Sequence, residues 1–108
     1  MRSAQNMLRF LRAVKAEDLP IEKVSVCLNK APSFTDLSGK NRAHRLEKSL
    51  GVDFAVRLPD GGKQIPAACD HGAPLAKAAK NNPLRKEIRK VAQRIIKTQA
   101  DVKAAAAA

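Results

Sequence analysis

Two short apolar runs lie in the middle of the chain, at residues 23–28 (KVSVCL) and residues 53–58 (DFAVRL). Both are rich in residues that favour β-strands, and both are followed by turn-forming residues, Asn29 after the first and Pro59 with Asp60 after the second. The segment between the runs is long enough to hold a helix. The pattern therefore predicts a βαβ unit with parallel strands. Because ligands of such sheets bind beyond the carboxyl ends of the strands, Asn29, Pro59 and Asp60 are candidate site residues.

The N-terminal residues follow a helical pattern, in which the apolar positions are Ala4, Met7, Leu8, Leu11 and Val14. A parallel α/β domain usually begins with a strand that leads into its first helix, and little chain precedes this helix. We therefore expect a truncated α/β domain that lacks its N-terminal half.

The residues between the two strands also follow a helical pattern. Ala43, Leu46 and Leu50 fall on one face, and Ser38 is the expected N-cap because its hydroxyl can accept a hydrogen bond from a free backbone amide. Gly51 follows the last apolar position, where the left-handed conformation that ends many helices favours glycine. The pattern predicts a helix that crosses from the first strand to the second.

Two further helices are predicted after the second run. The shorter covers residues 63–71, ends before Gly72 and has Pro66 in its first turn. The longer begins with Asn82 as N-cap and Pro83 at the first helical position, and we expect its apolar stripe to pack on the sheet. The stripe consists of Leu84, Ile88, Val91, Ala92 and Ile95, and the opposite, cationic face of Arg85, Lys86, Arg89, Lys90, Arg94 and Lys97.

The composition restricts the possible partners. The chain has 108 residues, enough for one small domain, and its only aromatic residues are three Phe. This scarcity argues against a stacking platform for single-stranded nucleic acid. The net charge of +11 favours an anionic partner: nucleic acid, an anionic membrane surface or an acidic protein.

The cysteines and histidines give no metal-binding pattern. Cys27 and Cys69 are expected to be reduced, buried thiols of a cytosolic protein, because no CxxC motif or Cys/His cluster accompanies them. His44 and His71 have no partner at metal-ligand spacing. No apolar run approaches the roughly 18 residues that a membrane span needs, so we expect a protein that is soluble or at most peripheral to a membrane.

The motifs of self-contained nucleotide hydrolases are missing from the sequence. A Walker A loop needs Ser or Thr after its Gly-Lys pair, whereas the pairs that begin at Gly39 and Gly62 are followed by Asn41 and Gln64. Neither GxGxxG nor GxSxG occurs. The sequence therefore predicts that this chain alone is not an enzyme and has no catalytic residues.

Four strings in series carry a family resemblance: VSVCLNK at residues 24–30, LEKSLG at 46–51, FAVRLPD at 54–60 and IPAACDHGAPL at 65–75, before the final Ile/Val helix. In this order they resemble the C-terminal half of MinD/ParA-type P-loop ATPases, most closely the CpaE/TadZ proteins of Flp (tight-adherence) pilus assembly. The resemblance covers about residues 2–97.

The resemblance implies a partial Rossmann-like P-loop fold, with short parallel strands flanked by helices. Residues 1–98 would be the C-terminal portion of the ATPase domain, and residues 99–108 a low-complexity, Ala-rich tail. The full-length family binds ATP and Mg²⁺; here Asn29, Pro59 and Asp60 would face the adenine, while the half with the phosphate and magnesium ligands is absent. The resemblance also implies a cytoplasmic protein that positions the pilus machinery at the inner membrane face, often as a dimer.

Two alternatives remain open from the residues. The chain could be a basic binding module whose last helix contacts anionic lipid or nucleic acid through phosphates. It could also be a fragment that does not fold stably, because two strands without sheet neighbours leave apolar faces and both edges uncovered. In that case we expect aggregation or partial disorder when the chain is expressed alone.

Overall fold

The computed structural model describes residues 2–107, which form a mixed α/β structure that is mostly helical and has a two-stranded parallel sheet. A short 3-10 turn (Ile21–Lys23) precedes the first strand. The remaining elements in chain order are α1 (Arg2–Ala16), β1 (Cys27–Ala31), α2 (Leu37–Leu50), β2 (Val56–Pro59), α3 (Gln64–Asp70), α4 (Leu75–Ala78) and α5 (Pro83–Ala107).

The chain divides into two compact units, unit 1 (Met1–Arg57) and unit 2 (Leu58–Ala108). The core of unit 1 contains Leu11 and Val14 from α1 together with Val26 and Ala43. These positions confirm the apolar face predicted for α1 and part of the face predicted for α2. The buried apolar residues of unit 2 are smaller: they are the alanines Ala68 and Ala79.

β1 begins later than predicted, because the 3-10 turn uses the start of the apolar run. At the end of this turn Val24 N–H donates to the carbonyl of Ile21 at 3.0 Å. The strand then includes Asn29 and continues to Ala31, so the prediction that the chain turns at Asn29 is wrong. Lys30, inside the strand, has a positive φ of 50°.

β2 covers Val56–Pro59 rather than residues 53–58. The backbone amide of Phe54 donates to the side chain of Glu47 at 2.9 Å, so the start of the predicted run is bonded to α2 instead of to a strand. Ala55 N–H donates to the carbonyl of Val26 at 2.9 Å and joins the segments that lead into the two strands. Together with α2, the strands confirm the predicted parallel β1–α2–β2 crossover.

The ends of α2 confirm one prediction and correct another. Its N-cap is Asp36 and not Ser38: the Asp36 carboxylate accepts a hydrogen bond from Gly39 N–H at 2.8 Å, so the helix starts at Leu37. At the other end Gly51 is left-handed, with φ 66°, as predicted.

The helices of unit 2 are close to their predicted positions. α3 lies between Lys63 and His71, and Gly72 follows with φ 59°. The short helix α4 was not predicted, since its four residues are too few to show a period. α5 starts at Pro83 and continues to Ala107, so the described part of the Ala-rich tail is helical.

Both cysteines are free and exposed, and the prediction that they are buried is wrong. Side chains alternate along an extended segment, and the burial of Val26 places the next residue, Cys27, on the opposite, open side. In α3 the inward position belongs to Ala68, and Cys69 is turned away from it.

The α5 stripe is not covered as predicted, because no residue of α5 is buried. Among its apolar residues, Ile88, Ile95, Ile96 and Val102 are exposed. Across residues 2–107, no helix is both long enough and apolar enough to cross a bilayer.

The chain covers less of its surface than folded monomers do. Its accessible area is 8801 Å². A folded monomer of 11.7 kDa exposes about 5,900 Å², and two separate folded units of half that mass would together expose about 7,100 Å². The observed area exceeds both values, so uncovered surface remains even when each unit is considered by itself.

Candidate functional site

Asn29 is exposed on β1, and its side chain is bonded to the neighbouring backbone. Its Oδ1 accepts a hydrogen bond from Lys30 N–H at 2.9 Å. Within residues 2–107 its Nδ2 group has no hydrogen-bond partner and is therefore a free donor. The Nδ2 of an Asn can donate to the ring nitrogens of a base.

Pro59 and Asp60 end β2 and begin the turn that follows. Pro59 is half-buried, and its missing N–H is tolerated at the strand end. Asp60 is exposed, and its Oδ1 accepts a hydrogen bond from Gly62 N–H at 2.8 Å, which fixes a tight turn. The prediction that Asn29, Pro59 and Asp60 face an adenine stays a prediction.

Asn82 anchors the turn that contains Asp60. It is only 3% exposed. Its Nδ2 donates to the carbonyl of Gly61 at 2.8 Å and to Oε1 of Gln64 at 2.7 Å, while its Oδ1 accepts from Leu84 N–H at 3.0 Å. The last bond confirms the predicted N-cap. The two donated bonds could not be predicted, because they join residues that are distant in sequence.

Gly61 has little space for a side chain. A Cβ at this position would overlap the side chain of Ile65 and would lie 3.0 Å from Oδ1 of Asn82. The two hydrogen bonds that Asn82 donates to Gly61 and Gln64 connect the turn after β2 to the start of α3. This turn carries Asp60, one of the candidate site residues.

In unit 1 the side chain of Glu47 joins α2 to the segment before β2. It lies on α2, is 8% exposed, and its Oε1 accepts hydrogen bonds from Phe54 N–H at 2.9 Å and from Nη2 of Arg57 at 2.7 Å. Its Oε2 lies 3.6 Å from Nδ1 of His44. These contacts connect the last turns of α2 to the segment that enters β2.

The same contacts lower the pKa of Glu47. The largest cause is the hydrogen bond from the Phe54 amide, which stabilises the carboxylate; partial burial opposes it, and the hydrogen bond and charge of Arg57 add to it. The sequence pattern places Glu47 only on the polar side of a helix. Its role depends on partners after Gly51, and no local signal indicates them.

A groove lies between α1 and α2 in unit 1. Three adjoining cavities of 470, 430 and 260 Å³ all have Ala4 and Leu46 in their walls. We call the cavity of 430 Å³ and its shared walls the α1–α2 groove; its floor contains Ala4, Leu8, Leu46 and Leu50, and its rim contains Arg42 and Arg45. The sequence pattern did not predict this groove, because its walls come from two helices that are distant in sequence.

No cluster of three or more His, Cys, Asp or Glu is placed to bind a metal ion in residues 2–107. Comparisons of the chain with known protein families, with curated proteins and with solved structures gave no match. The resemblance to MinD/ParA-type ATPases therefore depends on the sequence strings alone.

Proposed function

We propose that this chain is the base-side portion of a CpaE/TadZ-like pilus-assembly ATPase domain of the MinD/ParA type. The observation that supports the proposal best is the parallel crossover from β1 through α2 to β2, because nucleotides bind at the carboxyl ends of such strands. Asn29 on β1 and Asp60 after β2 are polar and exposed, as residues that contact a base must be.

In this proposal the chain supplies contacts to the adenine, while the phosphates and Mg²⁺ of ATP are bound by the portion of the domain that carries a phosphate loop. ATP hydrolysis by this chain alone is then not expected. The large uncovered surface agrees with a domain portion whose remaining neighbours complete its core. The protein would act in the cytoplasm at the inner membrane face, as a dimer within the pilus machinery.

A titration with nucleosides tests the base-side proposal directly. Adenosine, which has no phosphates, is added to the ¹⁵N-labelled chain, and amide chemical shifts are followed. We expect saturable shifts at Asn29 and at Asp60, with a Kd of about 1 mM or weaker, equivalent to about 4 kcal/mol or less of binding free energy. Uridine should give smaller shifts, because its single ring offers less contact area.

Matched variants show whether the shifts come from the proposed contacts. Asn29→Ala should abolish the response, whereas Asn41→Ala, which removes an exposed amide from α2, should leave it unchanged. The proposal is contradicted if adenosine and uridine act equally, or if the shifts lie away from both strand ends.

A second candidate function is supported by the surface of α5. This helix buries none of its residues and carries exposed Ile88, Ile95 and Ile96 beside a cationic face. A long helix with an apolar stripe and opposing cations can lie in the interface of an anionic membrane, and its cations alone can bind nucleic acid phosphates. In this alternative the chain is a basic binding module.

Co-sedimentation with vesicles and gel shifts with DNA test the second candidate. Vesicles that contain phosphatidylglycerol should bind the chain, and pure phosphatidylcholine vesicles should not. Replacing Ile88 and Ile95 with Ser should remove vesicle binding but leave DNA binding unchanged, because only the membrane uses the apolar stripe. Failure to bind either partner at low salt would end this candidate.

A further inference from the structure

The α1–α2 groove combines an apolar floor with a cationic rim. Ala4 and Leu8 lie one turn apart on α1, and Leu46 and Leu50 one turn apart on α2, so the floor is a strip between two helices. Its volume is 430 Å³, and the adjoining cavity of 470 Å³ extends it toward Leu28 of β1. A strip of this kind fits a row of side chains from a third helix.

The rim of the groove is positively charged, and few negative charges of the described residues lie beside it. Neither Arg42 nor Arg45 forms an ion pair within residues 2–107, and Lys30 lines the adjoining cavity. The acidic residue in these walls, Asp36, accepts the Gly39 N–H as the N-cap of α2. Its single negative charge is outnumbered by the positive charges of Lys30, Arg42 and Arg45. A partner with negative charges beside its apolar residues would complement this rim.

We propose that the α1–α2 groove binds an acidic amphipathic helix of a partner protein. The partner helix places aliphatic side chains at positions i, i+3 or i+4 and i+7 in the groove, and its flanking carboxylates pair with Arg42 and Arg45. The inference depends on the groove alone and not on the function proposed above.

A second copy of this chain does not suit the groove. The net charge of +11 makes two copies repel each other, and the ten acidic residues are spread along the whole sequence. α5, the longest helix, is itself cationic on its polar face, with Glu87 already paired to Lys90 at 2.7 Å. None of the described helices offers an acidic face beside an apolar stripe.

Fluorescence anisotropy with two labelled helical peptides tests the proposal. Both peptides carry Leu at helical spacing; one has Glu on both flanks and the other has Lys at the same positions. We expect the Glu peptide to bind, more weakly as salt is raised, and the Lys peptide to bind at least about tenfold more weakly. Absence of binding by the Glu peptide would overturn the proposal.

Charge-reversal variants locate the binding surface. Arg42→Glu with Arg45→Glu should weaken the Glu peptide at least about tenfold and strengthen the Lys peptide, a gain that misfolding cannot produce. Arg9→Glu with Arg12→Glu makes the same change of net charge on exposed positions of α1 outside the groove walls, and should leave the Glu peptide unaffected.

Two results would contradict the proposal. Equal losses of affinity for the Glu peptide in the two double variants would show that the peptide recognises only the net charge of the chain. A dimer in sedimentation velocity that the Glu peptide does not dissociate, and that Leu8→Asp abolishes, would show that a second copy occupies the groove.

Discussion

Each unit contains one buried polar side chain that joins separate segments of the chain, the charged Glu47 in unit 1 and the neutral Asn82 in unit 2. We call these two side chains the anchors. In unit 1, Glu47 accepts hydrogen bonds from the Phe54 amide and from Arg57, and so joins α2 to the entrance of β2. In unit 2, Asn82 donates to Gly61 and Gln64 and so joins α5 to the turn after β2. Glu47 therefore contacts the segment that enters β2, and Asn82 contacts the turn that follows β2. The candidate site residues Pro59 and Asp60 lie between these contacts in sequence.

This difference in charge predicts that acid lowers the stability of unit 1 through its anchor but does not affect the anchor of unit 2. The pKa of Glu47 is lowered in the folded chain, so its contribution to stability is complete above the pKa of an unfolded glutamate, about 4.3. The contribution is lost as the pH falls through the lowered pKa of the folded state. Asn82 does not titrate, and the contacts that it makes are unaffected by pH.

Removal of the neutral anchor should have the largest effect. Asn82→Ala takes away the N-cap of α5 and removes the hydrogen bonds to the half-buried Gly61 carbonyl and to the Gln64 side chain, so we expect a loss of about 2–3 kcal/mol in the free energy of unfolding, measured by urea denaturation. Asn82→Asp keeps the cap but not the donated bonds and should lie in between. Asn81→Ala, at the exposed neighbouring position, should change stability by less than about 0.5 kcal/mol. Equal losses at both positions would contradict the role of Asn82.

A side chain at Gly61 should have the next largest effect. Gly61→Ala places a methyl group in the space of Ile65, and overpacking of this kind costs about 1–3 kcal/mol. Ile65→Ala in the same chain should recover part of this loss, because it removes the overlapping atoms. A double-mutant cycle measures this coupling, and additive losses would show that the turn relaxes without contacting Ile65.

Neutralisation of the charged anchor should have the smallest effect at neutral pH. Glu47→Gln retains an oxygen that can accept the Phe54 amide hydrogen bond but loses the charge that faces Arg57. We expect a small decrease in Tm at pH 7 and a flatter dependence of Tm on pH below about 4.3. Glu87→Gln, in an exposed helical ion pair with Lys90, is the control that should keep the wild-type pH dependence. If the two variants give the same profile, Glu47 is not the titrating anchor.

The sequence was most informative where structure depends on neighbouring residues. The apolar spacing of α1, the glycine that ends α2 and the Asn82–Pro83 start of α5 are local features, and each was predicted correctly. The bounds of β1 and β2 were less accurate, because the 3-10 turn and the Phe54–Glu47 hydrogen bond compete with strand pairing for backbone groups.

Features built from distant residues could not be predicted. The exposure of Cys27 depends on whether another element packs on its face of the sheet, and the local pattern of residues 23–28 does not indicate this. The anchors at Glu47 and Asn82 and the α1–α2 groove all join residues separated by loops or helices, and no local pattern indicates such contacts.

Hydrogen exchange at two pH values tests most directly the claim that an ionic anchor joins the segments of unit 1 and a neutral anchor joins those of unit 2. Amide protection is measured by mass spectrometry at pH 7 and below pH 4, after correction for the pH dependence of intrinsic exchange. We predict that residues 44–57 lose protection in acid while residues 82–90 retain it, and that Glu47→Gln abolishes the acid-dependent step. Simultaneous loss in both segments, or an unchanged step in Glu47→Gln, would contradict the account.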